Sequence, residues 1–464
     1  MYPEIILLVF ALAILILGLF FKKPNLWGIF ALIGIILAAA FLPKSFLARP
    51  PIFSGLLVNE TFSAFFKGIF LLISFIAVLI SMGYKLFTKE NSAEYYFLLL
   101  VSTVAMMLVA CANNLMVIYV ALEAVSLTSY ILVGFLKRDN LSNEAALKYF
   151  LFGTLATGIM LYGISFIYGL FGTTDLSILH SGLASGGASS LLVSVALLLI
   201  FSGIAFKCSL FPFHMWAPDA YEGAPTPVSA FISVGPKAVG FAILLRIFMQ
   251  DIFLLFPAWV HFFTFVSIAT MTVGNIIALS QDNIKRMLAY SSIAQAGYIL
   301  IGFVAGAELG TKAVLFYIFS YAFMNLGAFG CVTLINNSIR SDLIKDYAGL
   351  HKKDPLSAFM LTVFLLSLAG IPPLAGFLGK FLLFSAAIQT NLMLLAIAAA
   401  INSVIAFYYY INVIKCMYID EPKILTLQPK PTALQIALIV ALIGVLIMGI
   451  WPLPFLNLVS ASIH

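Results

Sequence analysis

Four ionisable residues lie several positions inside long apolar stretches of the sequence: Glu123, Lys207, Lys237 and Lys380. Burial disfavours the charged form of a lysine, whereas a nearby carboxylate stabilises the ammonium. Glu123 is therefore predicted to pair with Lys207 or Lys237, and separating the pair would release a proton. A row of the three lysines, joined by water, would form a proton relay. The alternative is a static buried ion pair that fixes helix packing, but it leaves two lysines unpaired.

Other ionisable residues lie nearer the ends of apolar stretches. Lys148 follows Glu144 by four residues, the spacing of an ion pair on one helix face, and both are secondary candidates for a proton path. Lys67 is interpreted as an interfacial residue whose long aliphatic side chain lets its ammonium reach the membrane surface. His214 follows Pro212, where it could either carry protons or hydrogen-bond exposed carbonyls at a helix end.

Prolines interrupt two of the apolar stretches. Pro212 removes a backbone donor and clashes with the preceding turn, so a helix should break or kink there. Pro372 and Pro373 lie between Gly370 and Gly376, and this segment cannot be regular helix although apolar sequence continues on both sides. Unwound backbone at membrane depth is tolerated only where it is buried in protein or lines a wet cavity. Because each break has a lysine nearby, the breaks are predicted to mark ion sites.

The elements that must position these residues follow from the composition. Of 464 residues, 63% are hydrophobic and 9% are charged, whereas soluble domains carry about 25% charged residues. The surrounding solvent must therefore be largely lipid, in which only helices or closed barrels satisfy the backbone. Continuous apolar runs of about 20 residues indicate helices. The sequence thus predicts an all-α polytopic membrane protein.

Apolar stretches bounded by charges, prolines or Asn/Gly clusters predict fourteen transmembrane helices. Their limits are 3–21, 26–42, 62–87, 95–112, 115–136, 148–171, 190–211, 226–248, 253–280, 287–305, 312–336, 356–386, 391–419 and 432–451. The breaks at Pro212 and Pro372-Pro373 then fall in helices 7 and 12.

Lysine and arginine bias loops toward the cytoplasm. With both termini outside, the outer loops hold only Lys44, Arg49, Arg246 and Lys312. The inner loops hold fifteen: Lys22, Lys23, Lys85, Lys89, Lys137, Arg138, Lys285, Arg286, Arg340, Lys345, Lys352, Lys353, Lys415, Lys423 and Lys430. This asymmetry supports the helix count and predicts that both termini face outward.

The two broken helices are five helices apart, which predicts an internal repeat. Residues 1–94 would hold helices 1–3, residues 95–248 the first five-helix repeat, residues 249–419 the second, and residues 420–464 helix 14. An odd number of spans per unit inverts the second copy, as in many transporters.

Several functional classes are excluded by missing motifs. The four cysteines are isolated, and the sequence has no CxxC, no P-loop and no GxGxxG after a strand, so no metal or cofactor site is predicted. Basic residues are spread thinly through loops, which argues against nucleic-acid binding. The tyrosines of the later helices, Tyr298, Tyr317, Tyr321 and Tyr408-Tyr409-Tyr410, are interpreted mainly as packing or interfacial residues.

Residues 206–231, FKCSLFPFHMWAPDAYEGAPTPVSAF, followed by Pro236-Lys237, closely resemble the signature of the antiporter-like membrane subunits of respiratory complex I, the proton-pumping NADH:quinone oxidoreductase. The Mrp cation/proton antiporters share its outline. Supporting segments are Leu122-Glu123-Ala124, NEAALKYF at 143–150, and the break at 369–380. The resemblance covers helices 4–13 well and helices 1–3 only by hydropathy.

The resemblance implies a fold of fourteen helices with two inverted five-helix repeats and broken helices 7 and 12. It implies that Glu123 is the ion-pair glutamate, that Lys207, Lys237 and Lys380 are the relay lysines, and that Glu144 and Lys148 form the pair of helix 6. Its partners would be other membrane-arm subunits, both antiporter-like and small, together with the lipid bilayer and H⁺.

The resemblance also places the chain in the bacterial inner (plasma) membrane. FMN, Fe–S clusters and quinone would belong to other subunits, where quinone reduction would drive proton transfer in this chain. An alternative is an Mrp-type cation/proton antiporter that is independent of redox chemistry. A third possibility is a passive scaffold whose lysines only pin helices.

Overall fold

Apolar runs form helices along most of the chain in the computed structural model, which describes residues 1–21, 23–46, 51–84, 91–184, 190–248, 258–421 and 429–463. The long helices are α1 (Tyr2–Gly18), α2 (Pro24–Phe41), α3 (Thr61–Met82), α4 (Ser92–Cys111), α5 (Leu115–Val133), α6 (Asn140–Phe171), α7 (Ser190–Cys208), α8 (Thr226–Ile247), α9 (Ala258–Ala278), α10 (Ile284–Ala305), α11 (Ala307–Ile339), α12a (Pro355–Ala369), α12b (Ala375–Gln389), α13 (Met393–Tyr418) and α14 (Thr432–Ile450).

The predicted all-α membrane fold is confirmed. In the part of the chain that the structure describes, twelve helices are long and apolar enough to cross a membrane, while α1, α12a and α12b are shorter apolar helices. Each of the fourteen predicted spans therefore has a counterpart, and helix 12 is split in two as expected. Within the described residues, four short α-helices between or after the spans were not predicted: Leu176–Ala184, Trp216–Gly223, Leu350–Lys353 and Leu453–Ala461.

The start of α6 differs from the prediction. The Asp139 side chain accepts a hydrogen bond from the Leu141 backbone N–H at 3.0 Å, and such a cap satisfies a donor that would otherwise be unpaired. The helix therefore begins at Asn140 rather than at residue 148. As a result Lys148 lies about two turns inside α6.

The loops that connect successive helices lie alternately at one end of the bundle and at the other, and loops at the same end contact one another. At the end that carries both termini, which we call the terminal end, Leu57 forms a β-bridge with Ala112 and Thr61 Oγ1 donates to the Ser462 carbonyl. At the opposite end Asn283 forms a β-bridge with Leu343. Because both termini lie at the same end, the chain must cross the bundle an even number of times. This agrees with the predicted fourteen spans.

The helices form an enclosed centre and an apolar exterior. Helices α8, α10 and α11 are buried along nearly their whole length. Helix α6 instead exposes large apolar side chains, including Leu151, Leu155 and Tyr162, as expected of a surface in contact with lipid or a partner subunit. Of the cations used to predict orientation, Lys22, Arg49, Lys85, Lys89 and Lys423 lie outside the described residues.

Candidate functional site

The break in helix 12 creates a site for Lys380. Helix α12a ends at Ala369. Gly370 follows with a φ of +91°, a backbone conformation that residues other than glycine rarely adopt. The last carbonyls of a helix lack partners within it and carry its partial negative charge. Lys380, in the second turn of α12b, donates to the Ala369 carbonyl at 3.0 Å. The unwound segment at Pro372-Pro373 thus places an ammonium at a helix C-terminus.

Lys380 also contacts α10 and α13. Its Nζ lies 3.5 Å from Ser403 Oγ and 4.4 Å from the centre of the Tyr298 ring. The side chain is only 4% exposed. Contacts with a carbonyl, a hydroxyl and an aromatic face can hold an ammonium without a carboxylate.

A hydrogen-bonded chain leads away from Lys380. Ser403 Oγ donates to the Tyr298 hydroxyl at 3.4 Å, which accepts from Asn275 Nδ2 at 3.3 Å. The Tyr409 hydroxyl donates to Asn275 Oδ1 at 3.1 Å. We call these four residues the serine–tyrosine chain. They come from α9, α10 and α13, so the chain crosses three helices.

A second set of polar contacts starts at the same break. Gln295 Nε2 donates to the Leu368 carbonyl at 3.0 Å and to the Tyr410 hydroxyl at 3.3 Å. The Tyr410 hydroxyl is in turn hydrogen-bonded to Ser291 Oγ, and Tyr317 donates to Gln295 Oε1. The contacts end at Ser291, one residue before Ser292.

Ser292 is the partner of Lys237. The Lys237 Nζ donates to the Ser292 carbonyl at 2.7 Å and to Ser292 Oγ at 2.8 Å. Pro236 lies inside α8 directly before Lys237. Lys237 is 2% exposed, so its ammonium lies in the enclosed centre of the bundle. Neighbouring residues of α10 therefore connect Lys237 with the polar contacts that begin at the helix-12 break.

Lys207 has a different environment. Helix α7 ends at Cys208, four residues before Pro212, so the predicted break is confirmed and Lys207 lies in the last turn. The Lys207 side chain is fully buried, and its Nζ has no hydrogen-bond partner among the described residues. It lies instead within 5.7 Å of the ring centres of three aromatic side chains, Tyr130, Tyr149 and Phe206.

The predicted contact between Glu123 and a lysine is not made in this conformation. Glu123 Oε1 is buried with no hydrogen-bond partner among the described residues. Lys207 is turned toward aromatic rings, and Lys237 is held by Ser292. Glu123 and Tyr130 are seven residues apart on α5, so they share one helix face and are separated by about 10 Å along the axis.

His214 lies beyond the break of α7 and is 6% exposed. Its ring stacks on Phe211 at 5.8 Å between ring centres, and Nδ1 has no hydrogen-bond partner in the described part of the chain. Of the two roles predicted for His214, the hydrogen bond to carbonyls at the helix end is not seen among the described residues, and proton transfer stays a prediction. The Phe206 carbonyl there accepts from Trp216 Nε1 at 2.9 Å instead.

Glu144 and Lys148 belong to an ion cluster at the opposite end of the bundle. Lys148 Nζ lies 2.8 Å from Glu144 and 2.9 Å from Asp219, which confirms the predicted spacing of the pair and adds a partner. Arg286, in the first turn of α10, contacts Asp219 at 2.8 Å and Glu222 at 2.6 Å. The cluster therefore ties α6 and α10 to the short helix between α7 and α8.

The cluster determines the pKa of Asp219. Partial burial alone would raise that pKa, but hydrogen bonds from Lys148 and Arg286 and the charges of both outweigh it, so the pKa lies below its ordinary value. A carboxyl group whose pKa is lowered by folding stabilises the folded state above its unfolded pKa, and this contribution is lost as the pH falls through the folded value.

We therefore expect the helix Trp216–Gly223 to stay docked at pH 5 and to loosen only below about pH 4, where an unperturbed aspartate takes up its proton. Hydrogen exchange of its backbone amides, corrected for the intrinsic rate at each pH, would measure this. Asp219→Asn should show faster exchange at pH 5 and a smaller acid transition, because Glu222 still pairs with Arg286. Equal protection of the variant and the native protein at pH 5 would contradict the prediction.

The interpretation of Lys67 as an interfacial residue is wrong. Its side chain is fully buried and lies 2.7 Å from Glu4 Oε1, and it donates to Asn59 Oδ1 at 2.9 Å. Glu4 is only 3% exposed, as is Asp354, so the partly buried Glu123 is not the only acid removed from the surface among the described residues. A charged group near the end of a span can reach either the interface or an opposite charge, and here Glu4 of α1 supplies that charge.

The structure also shows residues that the sequence interpretation missed. Asn275, Gln295 and Ser292 are neutral polar residues inside apolar helices: Ser292 holds Lys237, Gln295 contacts the helix-12 break, and Asn275 belongs to the serine–tyrosine chain that leads away from Lys380. Tyr298 and Tyr410 are buried and hydrogen-bonded, so they do more than pack. The frequent Ser, Asn and Gln residues in α10 and α13 could have indicated these contacts from the sequence.

Comparisons with a family model, with known proteins and with solved structures show what the whole chain is similar to. A family model described as NADH:quinone oxidoreductase/Mrp antiporter, TM, matches residues 112–406. NADH-quinone oxidoreductase subunit N of Trichlorobacter lovleyi is 44% identical, and the match covers 99% of this chain and 96% of that protein. A chain of respiratory complex I from Thermus thermophilus, solved with bound aureothin, has 32% identity and a TM-score of 0.84, covering 99% of both chains.

A chain of the Mrp complex from Dietzia sp. has a TM-score of 0.87 and covers 99% of this chain and 96% of its own length, at 21% identity, which supports the fold alone. The described residues contain no group of three or more His, Cys, Asp or Glu side chains that could hold a metal. Apolar spans, two proline-broken helices and buried lysines define an antiporter-like membrane protein. The chain belongs to the NADH:quinone oxidoreductase/Mrp antiporter family.

Proposed function

We propose that this chain is a proton-translocating membrane-arm subunit of a bacterial NADH:quinone oxidoreductase, the counterpart of subunit N. It would work beside antiporter-like and small membrane subunits in the bacterial inner membrane, with both termini on the outer side. FMN, Fe–S clusters and quinone belong to other subunits in this proposal. Near-complete coverage at 44% identity to a subunit N supports it over a redox-independent antiporter.

The observation that carries the proposal is a set of polar contacts that begins beside the carbonyl partner of Lys380 and ends beside the serine partner of Lys237. Lys380 caps the Ala369 carbonyl at the helix-12 break, and the adjacent Leu368 carbonyl accepts from Gln295. Gln295 then leads through Tyr410 to Ser291, next to Ser292, which holds Lys237. Hydroxyl groups both donate and accept hydrogen bonds, so a row of them with bound water can pass a proton.

In the proposed cycle, quinone reduction elsewhere in the complex changes the distance between Glu123 and Lys207. When the ammonium leaves the carboxylate, its proton becomes easier to remove. The proton then passes toward Lys237 and on to Lys380. The serine–tyrosine chain extends the route from Lys380 to Tyr409 of α13, whose hydroxyl contacts Asn275 of α9. The domain limits at 94, 248 and 419 remain predictions from the sequence.

Replacement of Lys237 by methionine tests this function. Methionine keeps the length of the side chain but carries no proton, and loss of a positioned acid–base group typically slows proton transfer about 100-fold. The complex would be purified, reconstituted into vesicles, and assayed for protons moved per electron during NADH oxidation. We expect the ratio to fall while electron transfer to artificial acceptors stays normal.

Lys312→Met is a matched control. Lys312 lies at the terminal end of α11, where it pairs with Glu308, four residues away, at 2.5 Å and is 29% exposed. Its removal should leave the ratio of protons to electrons unchanged. If Lys237→Met pumped as many protons per electron as the native complex, Lys237 would not belong to a relay. Failure of the native chain to co-purify with flavin and Fe–S subunits would favour the Mrp-type alternative.

A further inference from the structure

The Lys207 side chain lies among aromatic rings and forms no direct ion pair with a carboxylate of the described residues. The Nζ atom lies 5.7 Å from the ring centre of Tyr130 and 5.6 Å from those of Tyr149 and Phe206. Aromatic faces within about 6 Å attract a cation through the ring quadrupole, and more strongly when water is excluded. All three aromatic side chains are at most 5% exposed. We call these three rings the lysine cage.

Neighbouring contacts hold the cage in place. Trp216 stacks on Tyr149 at 4.1 Å with an angle of 6° between the rings, and its Nε1 donates to the Phe206 carbonyl at 2.9 Å. Tyr130 meets Tyr149 edge to face at 4.6 Å. Trp216 follows the helix-7 break, so the break supplies the residue that orients two walls of the cage.

Gly153 of α6 makes room for the remaining wall. A Cβ atom at this position would collide with the Tyr130 hydroxyl, and the nearest atom of that ring would lie at 2.7 Å. The absence of a side chain at residue 153 is therefore required for Tyr130 to pack where it faces Lys207. Helices α5, α6 and α7 thus each contribute to the cage.

Glu123 lies on the same face of α5 as Tyr130, about 10 Å away along the helix axis. Two positions for the Lys207 ammonium along this helix face follow as an inference from the placement of Glu123 and Tyr130. One is beside the Glu123 carboxylate. The other is inside the cage, and it is the one occupied here.

We propose that Tyr130, Tyr149 and Phe206 form an aromatic cage that receives the Lys207 ammonium when it leaves Glu123. The cage residues are positioning residues, because they act through the lysine. This proposal rests on the proposed function, since a second position for Lys207 matters only if the lysine moves during the cycle. Without the cage, Lys207 would stay with Glu123, and proton transfer to Lys237 would slow.

The test compares ring-preserving and ring-removing variants at two positions in the assembled, reconstituted complex. Tyr149→Leu and Tyr130→Leu each remove one aromatic face, and each should lower the rate of coupled proton transfer about fivefold, as expected for loss of one cation–π contact. Tyr149→Phe and Tyr130→Phe retain the ring, so both should keep most of the native rate. If Tyr149→Leu fails to assemble, Tyr149→Met, which fills space without a ring, takes its place.

Tyr95→Leu is the matched control. Tyr95 is fully buried, packs edge to face on Tyr96 and Phe135, and is hydrogen-bonded to Ser81 at 2.7 Å, and it is not one of the rings around Lys207. Its replacement removes the same bulk but should leave proton transfer per electron unchanged. A similar loss in Tyr95→Leu would show that lost packing, rather than lost cation binding, explains the effect.

Two further results would overturn the proposal. If the Phe variants lost as much as the Leu variants, the hydroxyls rather than the rings would matter. If the Leu variants pumped normally, the cage would have no role. Lys207→Met separates this failure from failure of the proposed function, because a complex that pumps normally without Lys207 would reject the relay itself.

Discussion

Replacing Lys380 by arginine is expected to stop coupled proton transfer although the positive charge is retained. A guanidinium can donate to the Ala369 carbonyl and stack on Tyr298 as the ammonium does. It cannot release its proton, however, because its pKa lies above about 12. A relay needs release as well as binding, so we expect a loss of about 100-fold, similar to that of Lys380→Met.

The measurement is proton translocation per electron in reconstituted vesicles, with Lys430→Arg as the matched control. Lys430 lies 2.5 Å from Asp354, the residue that caps the start of α12a. That contact is a static ion pair at the other end of the same broken helix, and arginine can serve equally well there. If the complex with Lys380→Arg pumped normally while that with Lys380→Met did not, Lys380 would serve only as a hydrogen-bond donor that holds the Ala369 carbonyl. That result would support the scaffold alternative.

The sequence was sufficient to predict the spans and the breaks. Apolar run length determines where a helix can cross a bilayer, and prolines determine where it cannot continue. The start of α6 was missed because residues 140–147 are polar enough to resemble a loop, although Asp139 caps a helix that extends beyond the apolar stretch.

The candidate site was only partly predictable. Lys207, Lys237 and Lys380 stand out because an ionisable residue in an apolar run always requires an explanation. Asn275 and Gln295 do not stand out, because neutral polar residues occur in many membrane helices and their partners depend on how helices pack. The contact of Lys207 with aromatic rings rather than with Glu123 also depends on packing, since Tyr149 and Trp216 come from different helices.

The Glu4–Lys67 pair leads to the second large expected effect. Removal of one partner from a buried ion pair leaves an uncompensated charge and typically costs about 3–5 kcal/mol, whereas replacement of both by apolar residues is often neutral. Glu4→Leu should therefore strongly destabilise the packing of α1 against the bundle, because it leaves the buried Lys67 ammonium beside the neutral Asn59 side chain without a carboxylate. The double variant Glu4→Leu/Lys67→Met should recover most of the loss.

Thermal unfolding of the purified complex and the amount assembled in membranes would measure both effects. The pair Glu308–Lys312 is the control, since its side chains are 53% and 29% exposed and such pairs contribute about 0–1 kcal/mol. Glu308→Leu should therefore change little. Equal damage in the single and double variants would mean that Glu4 and Lys67 act separately. Full recovery in the double variant, with normal proton pumping, would assign this pair to the assembly of α1–α3 and place it outside the proton route.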